Sequence, residues 1–381
     1  MSSSDTVHSV FTFQTLNAAV WGFASSFAIC VLLVLTKRWH GALTLDHTEG
    51  VQKFHTAPTP RIGGAPILLG LIVAWSKAPL EIKELMTPIL LAGLPAFIFG
   101  LLEDITKRVS VLMRLVATMI SGLLAWWITD YSLSRVDIWG VDWLLQFTLI
   151  SVLFTSFAVG GVANSINIID GFNGLSSTTS SLIFLGFAIV AAEIGDKQLA
   201  GAALILAACV WGFFWVNWPF GKIFLGDGGA YFVGFGLAWV AVMLIERNQV
   251  VSAFAALLLC IHPVTEVLFS MYRRQVRKEH PGMPDRLHFH SLVKRRYVSR
   301  WFAHFSARAR NSITGVAVGL MTLAPVIVVS QTYHSSILTQ LACVSFVVGY
   351  ISLYARMVKH YWCSPIHFLV TNQLAKKRLK P

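Results

Sequence analysis

The sequence has 381 residues, of which 55% are hydrophobic and 13% charged, with a formal net charge of +12. This composition excludes an ordinary soluble domain. A transmembrane helix needs about 20 consecutive, mostly apolar residues. Eleven such runs occur, near 14–35, 63–80, 86–102, 111–129, 143–162, 176–194, 199–216, 228–245, 251–272, 313–330 and 336–356. We therefore predict an all-α polytopic membrane protein with about eleven transmembrane helices, forming one domain over residues 1–381.

The basic residues predict how this chain is oriented. No Lys or Arg precedes the first run, and Lys37 and Arg38 follow it, which is typical of an uncleaved anchor with its N-terminus outside. With strict alternation from there, inner loops and the tail hold 24 of the 30 Lys and Arg residues, and outer segments hold five. This bias predicts a cytoplasmic C-terminus. Nucleic-acid binding is disfavoured, because the basic residues flank membrane spans and face lipid headgroups.

Five polar segments interrupt the apolar runs, and the predicted orientation places all five on the cytoplasmic side. They are residues 53–64, 103–110, 164–175, 224–231 and 284–296. Acidic groups and glycines at a membrane edge are costly unless they face water, an ion or each other. We therefore expect a functional site on the cytoplasmic face. The longest inner segment, 273–312, is predicted to form a cytoplasmic flap of helix, turn and helix.

The first two polar segments carry opposite charges. Lys53, His55 and Arg61 come before or at the start of the second run, and such side chains suit oxyanions. Glu103 and Asp104 directly follow the third run. An isolated acidic pair would be interpreted as a solvated helix end. Its predicted position beside two further acidic loops favours a role in the site.

The third segment repeats a carboxamide or carboxylate at every third residue. Asn164, Asn167, Asp170 and Asn173 have this spacing, which clusters side chains on one face of a helical or tightly turned backbone. The alternative is a polar kink satisfied by hydrogen bonds between the Asn side chains and the backbone. The number of such groups at a membrane edge favours a binding site.

The fourth segment places Asp227 between glycines, directly before an apolar helix. A helix N-terminus attracts anions, and a nearby carboxylate can hold a divalent cation that bridges to phosphate. The alternative is a helix-capping Asp with glycines for close packing, and Asp227 alone leaves both interpretations open. Several carboxylates with Asn oxygens are the donors that Mg²⁺ prefers, whereas no Cys or His cluster has the spacing of a zinc site.

The fifth segment adds Arg286, His288 and His290, which also suit a phosphate. The two histidines share a face if this stretch is extended and point apart if it is helical. The residues together predict a cytoplasm-facing, metal-dependent phosphate site built across several membrane helices.

These motifs, in this order, resemble those of the polyprenyl-phosphate N-acetylhexosamine-1-phosphate transferases, the glycosyltransferase 4 family of WecA-like and MraY-like enzymes. The resemblance extends from about residue 50 to 296. It rests on NxxNxxDGxxGL at 164–175, GDGG at 226–229, the Glu103-Asp104 pair and the stretch around His288 and His290.

The resemblance implies an activity. Family members transfer a sugar-1-phosphate from a UDP-N-acetylhexosamine to undecaprenyl or another polyprenyl phosphate, release UMP, and so start a surface polysaccharide such as O-antigen. They use Mg²⁺, with Mn²⁺ as an alternative, and they lie in the bacterial cytoplasmic (inner) membrane, where homodimers are common.

The resemblance also implies roles for individual residues. The metal ligands are expected to be Asn167 and Asp227, and the residues important for catalysis are Asp104, Asp170, Asp227 and His290. Asp104 is expected near the reacting phosphates as a base, a metal-shell ligand or a positioning group. The expected substrate contacts are Phe224 and Asn173 on uracil, Arg286 and His288 on the diphosphate with His290, and Lys53, His55 and Asn164.

Three departures from the family pattern stand out. Glu103 occupies the first position of the usual aspartate pair, Ser291 stands where a third histidine is usual, and Asn173 replaces an Asp of the MraY-like branch. These differences favour the WecA-like branch. The alternative function is a transporter coupled to cations or protons. That function is disfavoured because the acids gather at one face and no internal repeat is visible.

Overall fold

The computed structural model describes residues 11–46, 58–278 and 287–359. Its first part comprises α1 (Phe13–Leu35), α2 (Lys37–Thr44) and two short strands, β1 (Leu45–Asp46) and β2 (Thr59–Pro60). The strands pair antiparallel, with Leu45 opposite Pro60. Apart from this pair, the described residues contain only helices, turns and irregular connections, which confirms the all-α class.

Apolar helices dominate the rest of the chain. The first group is α3 (Gly64–Lys77), α4 (Leu80–Ala92), α5 (Leu94–Thr106), α6 (Val111–Thr129), α7 (Trp139–Leu145) and α8 (Thr148–Ile169). The second is α9 (Leu175–Glu193), α10 (Lys197–Asn217), α11 (Gly226–Arg247), α12 (Ala253–Leu259) and α13 (Ile261–Arg277). The last is α14 (Phe289–Val293), a π-helical turn (Lys294–Val298), α15 (Ser299–Trp301), α16 (Ala307–Gly319), a 3-10 turn (Leu320–Thr322), α17 (Leu323–Thr332) and α18 (Ser336–Lys359).

The described helices make this a polytopic membrane protein. Eight are long and apolar enough to cross a bilayer, or up to ten if each of two bent pairs forms one span. The run near 63–80 forms the 14-residue helix α3, which is short for a span. The number of eleven spans and the external N-terminus stay predictions.

The two bent pairs correspond to runs predicted as single helices, near 86–102 and 251–272. Helices α4 and α5 meet at 43° around Gly93, and α12 and α13 meet at 78° around Cys260. Pro95 lies in the first turn of α5, and Pro263 lies in the first turn of α13. A proline donates no backbone hydrogen bond, so a new helix begins there readily and the old one does not continue through it.

Helix α11 is the centre of the bundle. In an apolar stretch of 18 residues of α11, 94% of the residues are buried within the protein. The corresponding share for α18, at the periphery, is 17%. Helix α11 packs against α3, α5, α8 and α9. Large aromatic side chains of this helix are almost fully buried among these neighbours, for example Tyr231, Phe235 and Trp239. The N-terminal turn of α11 therefore lies where loops from several neighbouring helices can reach it.

A network of hydrogen bonds joins the C-terminal end of α11 to the start of α10, at the opposite end of the bundle from the N-terminus of α11. The Asp196 carboxylate accepts hydrogen bonds from Arg247 Nε and Nη2 at 2.9 and 3.0 Å, and from Asn248 Nδ2 at 3.1 Å. It also accepts the Leu199 backbone N–H at 3.1 Å and so caps α10. Burial alone would raise the pKa of Asp196, but the hydrogen bonds from Arg247, Asn248 and Leu199 outweigh burial and hold it below its usual range.

We expect this network to make the stability depend on pH. Because the folded-state pKa of Asp196 is lowered, its contribution is complete above the ordinary Asp pKa of about 3.9 and is lost as the pH falls through the folded value. Asp196→Asn should lower the free energy of unfolding by about 1–2 kcal/mol at neutral pH and by less in acid. Thermal unfolding in lipid nanodiscs between pH 3 and 7 measures this, with the exposed Asp130→Asn as control. An equal loss at every pH would contradict the assignment.

Candidate active site

Two carboxylates from distant parts of the chain meet at the N-terminus of α11. Asp104, in the last turn of α5, accepts the backbone N–H groups of Asp227 and Gly228, each at 2.9 Å. Both side chains are almost fully buried. A Cβ atom at Gly100 would meet the Asp227 backbone at 2.6 Å, so only glycine permits this approach of α5 to α11. Asp104 thus satisfies backbone donors of α11 and complements its positive end.

The Asp227 carboxylate is therefore not used as a helix cap, which answers the alternative left open by the sequence. Arg61 contacts its Oδ1 atom and Arg114 contacts its Oδ2 atom. Asn167, near the end of α8, donates from Nδ2 to Oδ1 at 3.1 Å. Arg61 also reaches Asp104, with 3.2 Å between Nε and Oδ1. Two arginines and one asparagine, from three separate elements, thus converge on a buried carboxylate.

Backbone pairing brings Arg61 to this point. The segment that follows β2 runs beside residues 223–225, and Gly63 and Gly64 donate to the carbonyls of Phe224 and Leu225 at 2.8 and 3.0 Å. The Phe224 N–H in turn donates to Pro60 O at 2.8 Å. A Cβ atom at Gly64 would lie 2.4 Å from the backbone of Gly229. The sequence TPRIGG thus explains how an arginine from the first polar segment reaches the fourth.

Arg114 was not predicted as a site residue, because it lies inside an apolar run. Its side chain is 12% exposed, and its guanidinium lies 5.7 Å from the centre of the Tyr231 ring. The Tyr231 hydroxyl donates to Asn164 Oδ1 at 3.1 Å. Asn164 therefore supports the aromatic ring on which Arg114 packs. An arginine within a membrane helix is rare, and that rarity is the sequence signal that identifies Arg114.

The third polar segment ends in the loop 170–174 between α8 and α9, here called the Asn-rich loop, which supplies a further carboxylate. Asp170 follows α8 and accepts a hydrogen bond from Ser176 Oγ at 2.5 Å. Burial raises the pKa of Asp170 to about 6, although Ser176 and the charge of Arg61 act in the opposite direction. Asp170 thus interacts electrostatically with the arginine that contacts Asp104 and Asp227.

Asn217 ties the Asn-rich loop to the segment before α11. Its Oδ1 accepts the Gly174 N–H at 2.6 Å, and its Nδ2 donates to Ile223 O at 2.8 Å. Asn217 is buried at the end of α10. Asn217 is not predicted from the sequence, because it belongs to none of the motifs and ends a long apolar run.

Asn173 and Phe224 occupy different surroundings. Asn173 is buried and donates from Nδ2 to Ser312 Oγ on α16 at 3.1 Å. Phe224 is half-buried, with its backbone in the pairing described above. Their predicted contacts with uracil stay predictions.

The two histidines of the fifth segment lie against the Asn-rich loop. His288 is extended and immediately precedes α14, and its ring stacks on that of His290 with 5.3 Å between centroids. The His290 ring meets Phe172 edge-on, with centroids 5.1 Å apart, and its Nε2 atom packs against Gly171. His288 lies outside the helix and His290 within it, so neither the extended nor the helical alternative describes the whole piece, and the two rings lie on the same side. Lys53, His55 and Arg286 lie outside the described residues.

The donor set at Asp227 fits a magnesium ion that takes most of its ligands from substrate. Asp227 offers a buried carboxylate and Asn167 a carboxamide, and the two guanidinium groups beside them suit the negative charge of a substrate phosphate. Within residues 11–46, 58–278 and 287–359, no three His, Cys, Asp or Glu side chains form a ready-made metal cluster. Mg²⁺ sites commonly combine one or two carboxylates with substrate phosphates and water.

A membrane bundle with buried acidic and basic side chains gathered at the start of α11 defines the broad class of this protein, and comparisons with known proteins define its family. Residues 86–245 match the model of glycosyl transferase family 4. An undecaprenyl-phosphate alpha-N-acetylglucosaminyl 1-phosphate transferase of Thermotoga maritima is 30% identical over 277 residues, which cover 73% of this chain and 80% of the relative. The chain belongs to glycosyl transferase family 4.

Two further relatives with similar names are about a quarter identical to this chain. The Salmonella typhi protein of the same name is 25% identical over 341 residues, covering 87% of this chain and 88% of the relative. A Bacillus subtilis (strain 168) protein, named "Probable undecaprenyl-phosphate N-acetylglucosaminyl 1-phosphate transferase", is 26% identical over 249 residues, covering 63% and 66%. The family match includes Asp104, Asn167 and Asp227 but not Arg61 or the histidine pair.

Proposed function

We propose that this protein transfers an N-acetylhexosamine-1-phosphate from a UDP-sugar to undecaprenyl phosphate or a related polyprenyl phosphate and releases UMP. The convergence of Asp104, Asn167, Arg61 and Arg114 on Asp227 carries this proposal. The relatives, whose names state N-acetylglucosaminyl 1-phosphate transfer to undecaprenyl phosphate, support the same chemistry. We further propose that the reaction occurs at the cytoplasmic face of the bacterial inner membrane and starts a lipid-linked surface polysaccharide.

The reaction joins two anions, and this determines what the residues must do. An oxygen of the polyprenyl phosphate forms a bond to the β-phosphorus of the UDP-sugar. The bond from that phosphorus to the bridging oxygen breaks, and its electron pair leaves with UMP. No proton transfer is needed, because a phosphate monoester is already mostly anionic at neutral pH, with a second pKa near 6. Positioning and charge stabilisation are therefore the main requirements.

The positive groups of the site meet these requirements. Arg61 and Arg114 supply guanidinium groups, which bind phosphate oxygens in a bidentate manner. Asp227 and Asn167 would hold a Mg²⁺ or Mn²⁺ ion, which when bound offsets the charge of the diphosphate. His290 contacts Phe172 of the Asn-rich loop and His288 stacks on His290, so we propose that this pair adds to the binding of the diphosphate.

Asp104 acts in this proposal as a positioning group. Its two carboxylate oxygens accept the N–H groups of Asp227 and Gly228, and Arg61 contacts it as well. These contacts orient the first turn of α11 and the arginine at the same time. A carboxylate so fully engaged is better suited to holding Asp227 in place than to removing a proton.

The proposed function is tested by tracing the β-phosphorus of the UDP-sugar. Purified protein in nanodiscs with undecaprenyl phosphate and Mg²⁺ should move radioactivity from [β-³²P]UDP-GlcNAc into a lipid-extractable product. With [α-³²P]UDP-GlcNAc, the label should appear in UMP. A panel of UDP-N-acetylhexosamines under the same conditions identifies the sugar. Release of UDP instead of UMP, with the β-label left in water, would contradict sugar-1-phosphate transfer.

A further inference from the structure

A buried acid inside the membrane bundle lies directly behind the histidine pair. Glu266 belongs to α13 and is 1% exposed. An ionisable side chain within a membrane helix is costly, so its partner indicates its function. Here the partner is His288, whose Nδ1 atom lies 2.8 Å from Glu266 Oε1.

The hydrogen bonds around Glu266 leave its carboxylate fully engaged. The Phe289 N–H donates to both carboxylate oxygens at 3.3 Å. The Tyr350 hydroxyl, from the peripheral helix α18, donates to Oε2 at 2.5 Å. Tyr350 and Phe289 also stack, with ring centroids 4.8 Å apart. One acid therefore joins α13, α14 and α18 at the point where the histidine pair begins.

The contacts of the histidines connect this acid to the proposed reaction. A carboxylate that accepts from Nδ1 fixes the imidazole tautomer and its orientation, because Nδ1 must then carry a hydrogen. The His288 ring stacks on His290, and His290 packs against Gly171 in the Asn-rich loop. The orientation of His288 thus limits where both rings can lie relative to that loop.

We propose that Glu266, held by Tyr350 of the last helix, is a positioning residue that fixes the tautomer and orientation of His288 for the phosphate site. This inference rests on the proposed function for its catalytic consequence, but its structural content does not. It gives α18, which is mostly exposed at the edge of the bundle, a defined part in organising the site.

The structural part is tested by ¹⁵N NMR of histidine-labelled protein in nanodiscs. The His288 signal, assigned by its loss in His288→Asn, should show a protonated Nδ1 in the native protein. Glu266→Gln and Tyr350→Phe should each shift this signal, whereas Tyr354→Phe, the same change one turn along α18, should not. An unshifted His288 signal in both Glu266→Gln and Tyr350→Phe would overturn the proposal. If Glu266→Gln does not fold, the two tyrosine variants decide it alone.

The functional part uses a double-mutant cycle. Glu266→Gln should lower kcat by about 10- to 100-fold, the loss typical of residues that orient a site histidine. Glu266→Asp, which keeps the charge, should recover part of it. Adding Glu266→Gln to His288→Asn should cause no further loss, because the acid acts through that histidine. Multiplicative losses in the double variant would overturn the proposal. Glu246→Gln, at the opposite end of the bundle, is the matched control.

A failure of this inference is distinguishable from a failure of the proposed function. If the native protein transfers no phosphosugar, the function is wrong, and the His288 signal still decides whether Glu266 positions it. If transfer is normal and the His288 signal is unshifted in both Glu266→Gln and Tyr350→Phe, only the inference is wrong.

Discussion

Asp227→Asn should reduce kcat for sugar-1-phosphate transfer on the order of a thousandfold, the largest single effect we expect. The substitution keeps the size of the side chain but removes the charge that Arg61 and Arg114 contact and that would hold the metal ion. Higher Mg²⁺ concentrations should not restore turnover, because a carboxamide is a much weaker ligand for this ion. The measurement is steady-state transfer of the β-phosphorus to lipid, with the Mg²⁺ concentration varied.

Folding must be separated from catalysis in this variant. Arg61 keeps its contact with Asp104, but Arg114 loses its carboxylate partner in a mostly buried place, which destabilises the protein. Thermal unfolding in the same nanodiscs therefore accompanies each rate. Asp142→Asn is the matched control, since that carboxylate accepts the Val136 N–H at 2.6 Å at the far end of the bundle. Full magnesium-dependent turnover in Asp227→Asn would show that the metal assignment is wrong.

Asp104→Asn should give the second largest loss, with kcat falling about a hundredfold, which is the typical consequence of a reacting group displaced by an ångström. Asparagine can accept one of the two N–H groups of α11, but its own NH₂ group then faces the other donor. The first turn of α11, and with it Asp227, must shift. The same transfer assay measures the loss.

Glu103 provides the control for this prediction. Its Oε2 accepts the Val109 N–H at 2.8 Å and so holds the loop after α5, away from the α11 backbone. Glu103→Gln should therefore cause a much smaller loss than Asp104→Asn. This position also explains why a glutamate is compatible with the site although an aspartate is usual in the family. Equal losses in the two variants would contradict the separate roles.

The sequence predicted the class of fold and the parts of the site that follow from local patterns. Apolar runs of sufficient length predict membrane helices, because lipid offers the backbone no hydrogen bonds. Polar residues between those runs mark loops, so Asp104, Asn167 and Asp227 are candidates from their position, and their separate roles follow from the family resemblance. The structure brings these three side chains together at one end of the bundle.

Residues that act across the bundle could not be predicted in the same way. Arg114 and Glu266 each lie within a run that is predicted as a single membrane span. Their importance depends on which helices are neighbours in space, and hydropathy carries no such information. Asn217 likewise gains its role only because the end of α10 lies beside Gly174, which is distant in sequence, and it joins this loop to Ile223 in the loop after α10.

The bends were missed for a related reason. Hydropathy measures how apolar a run is but not whether its helix continues through Gly93 or Cys260. The bend at Cys260 matters for the site, because α13 then packs against both α8 and α18. Glu266 can therefore reach His288 from one side and Tyr350 from the other.

Binding of Mn²⁺ in the presence of UDP-GlcNAc, followed by electron paramagnetic resonance, tests most directly whether oxygen ligands from α8 and α11 gather around one divalent ion. The native protein should bind one Mn²⁺ whose signal shows coupling to the phosphorus atoms of the diphosphate. Asp227→Asn should lose this ion, and Asp142→Asn should keep it. Unchanged Mn²⁺ binding in Asp227→Asn, or bound UDP-GlcNAc without any ion, would contradict this account of the site.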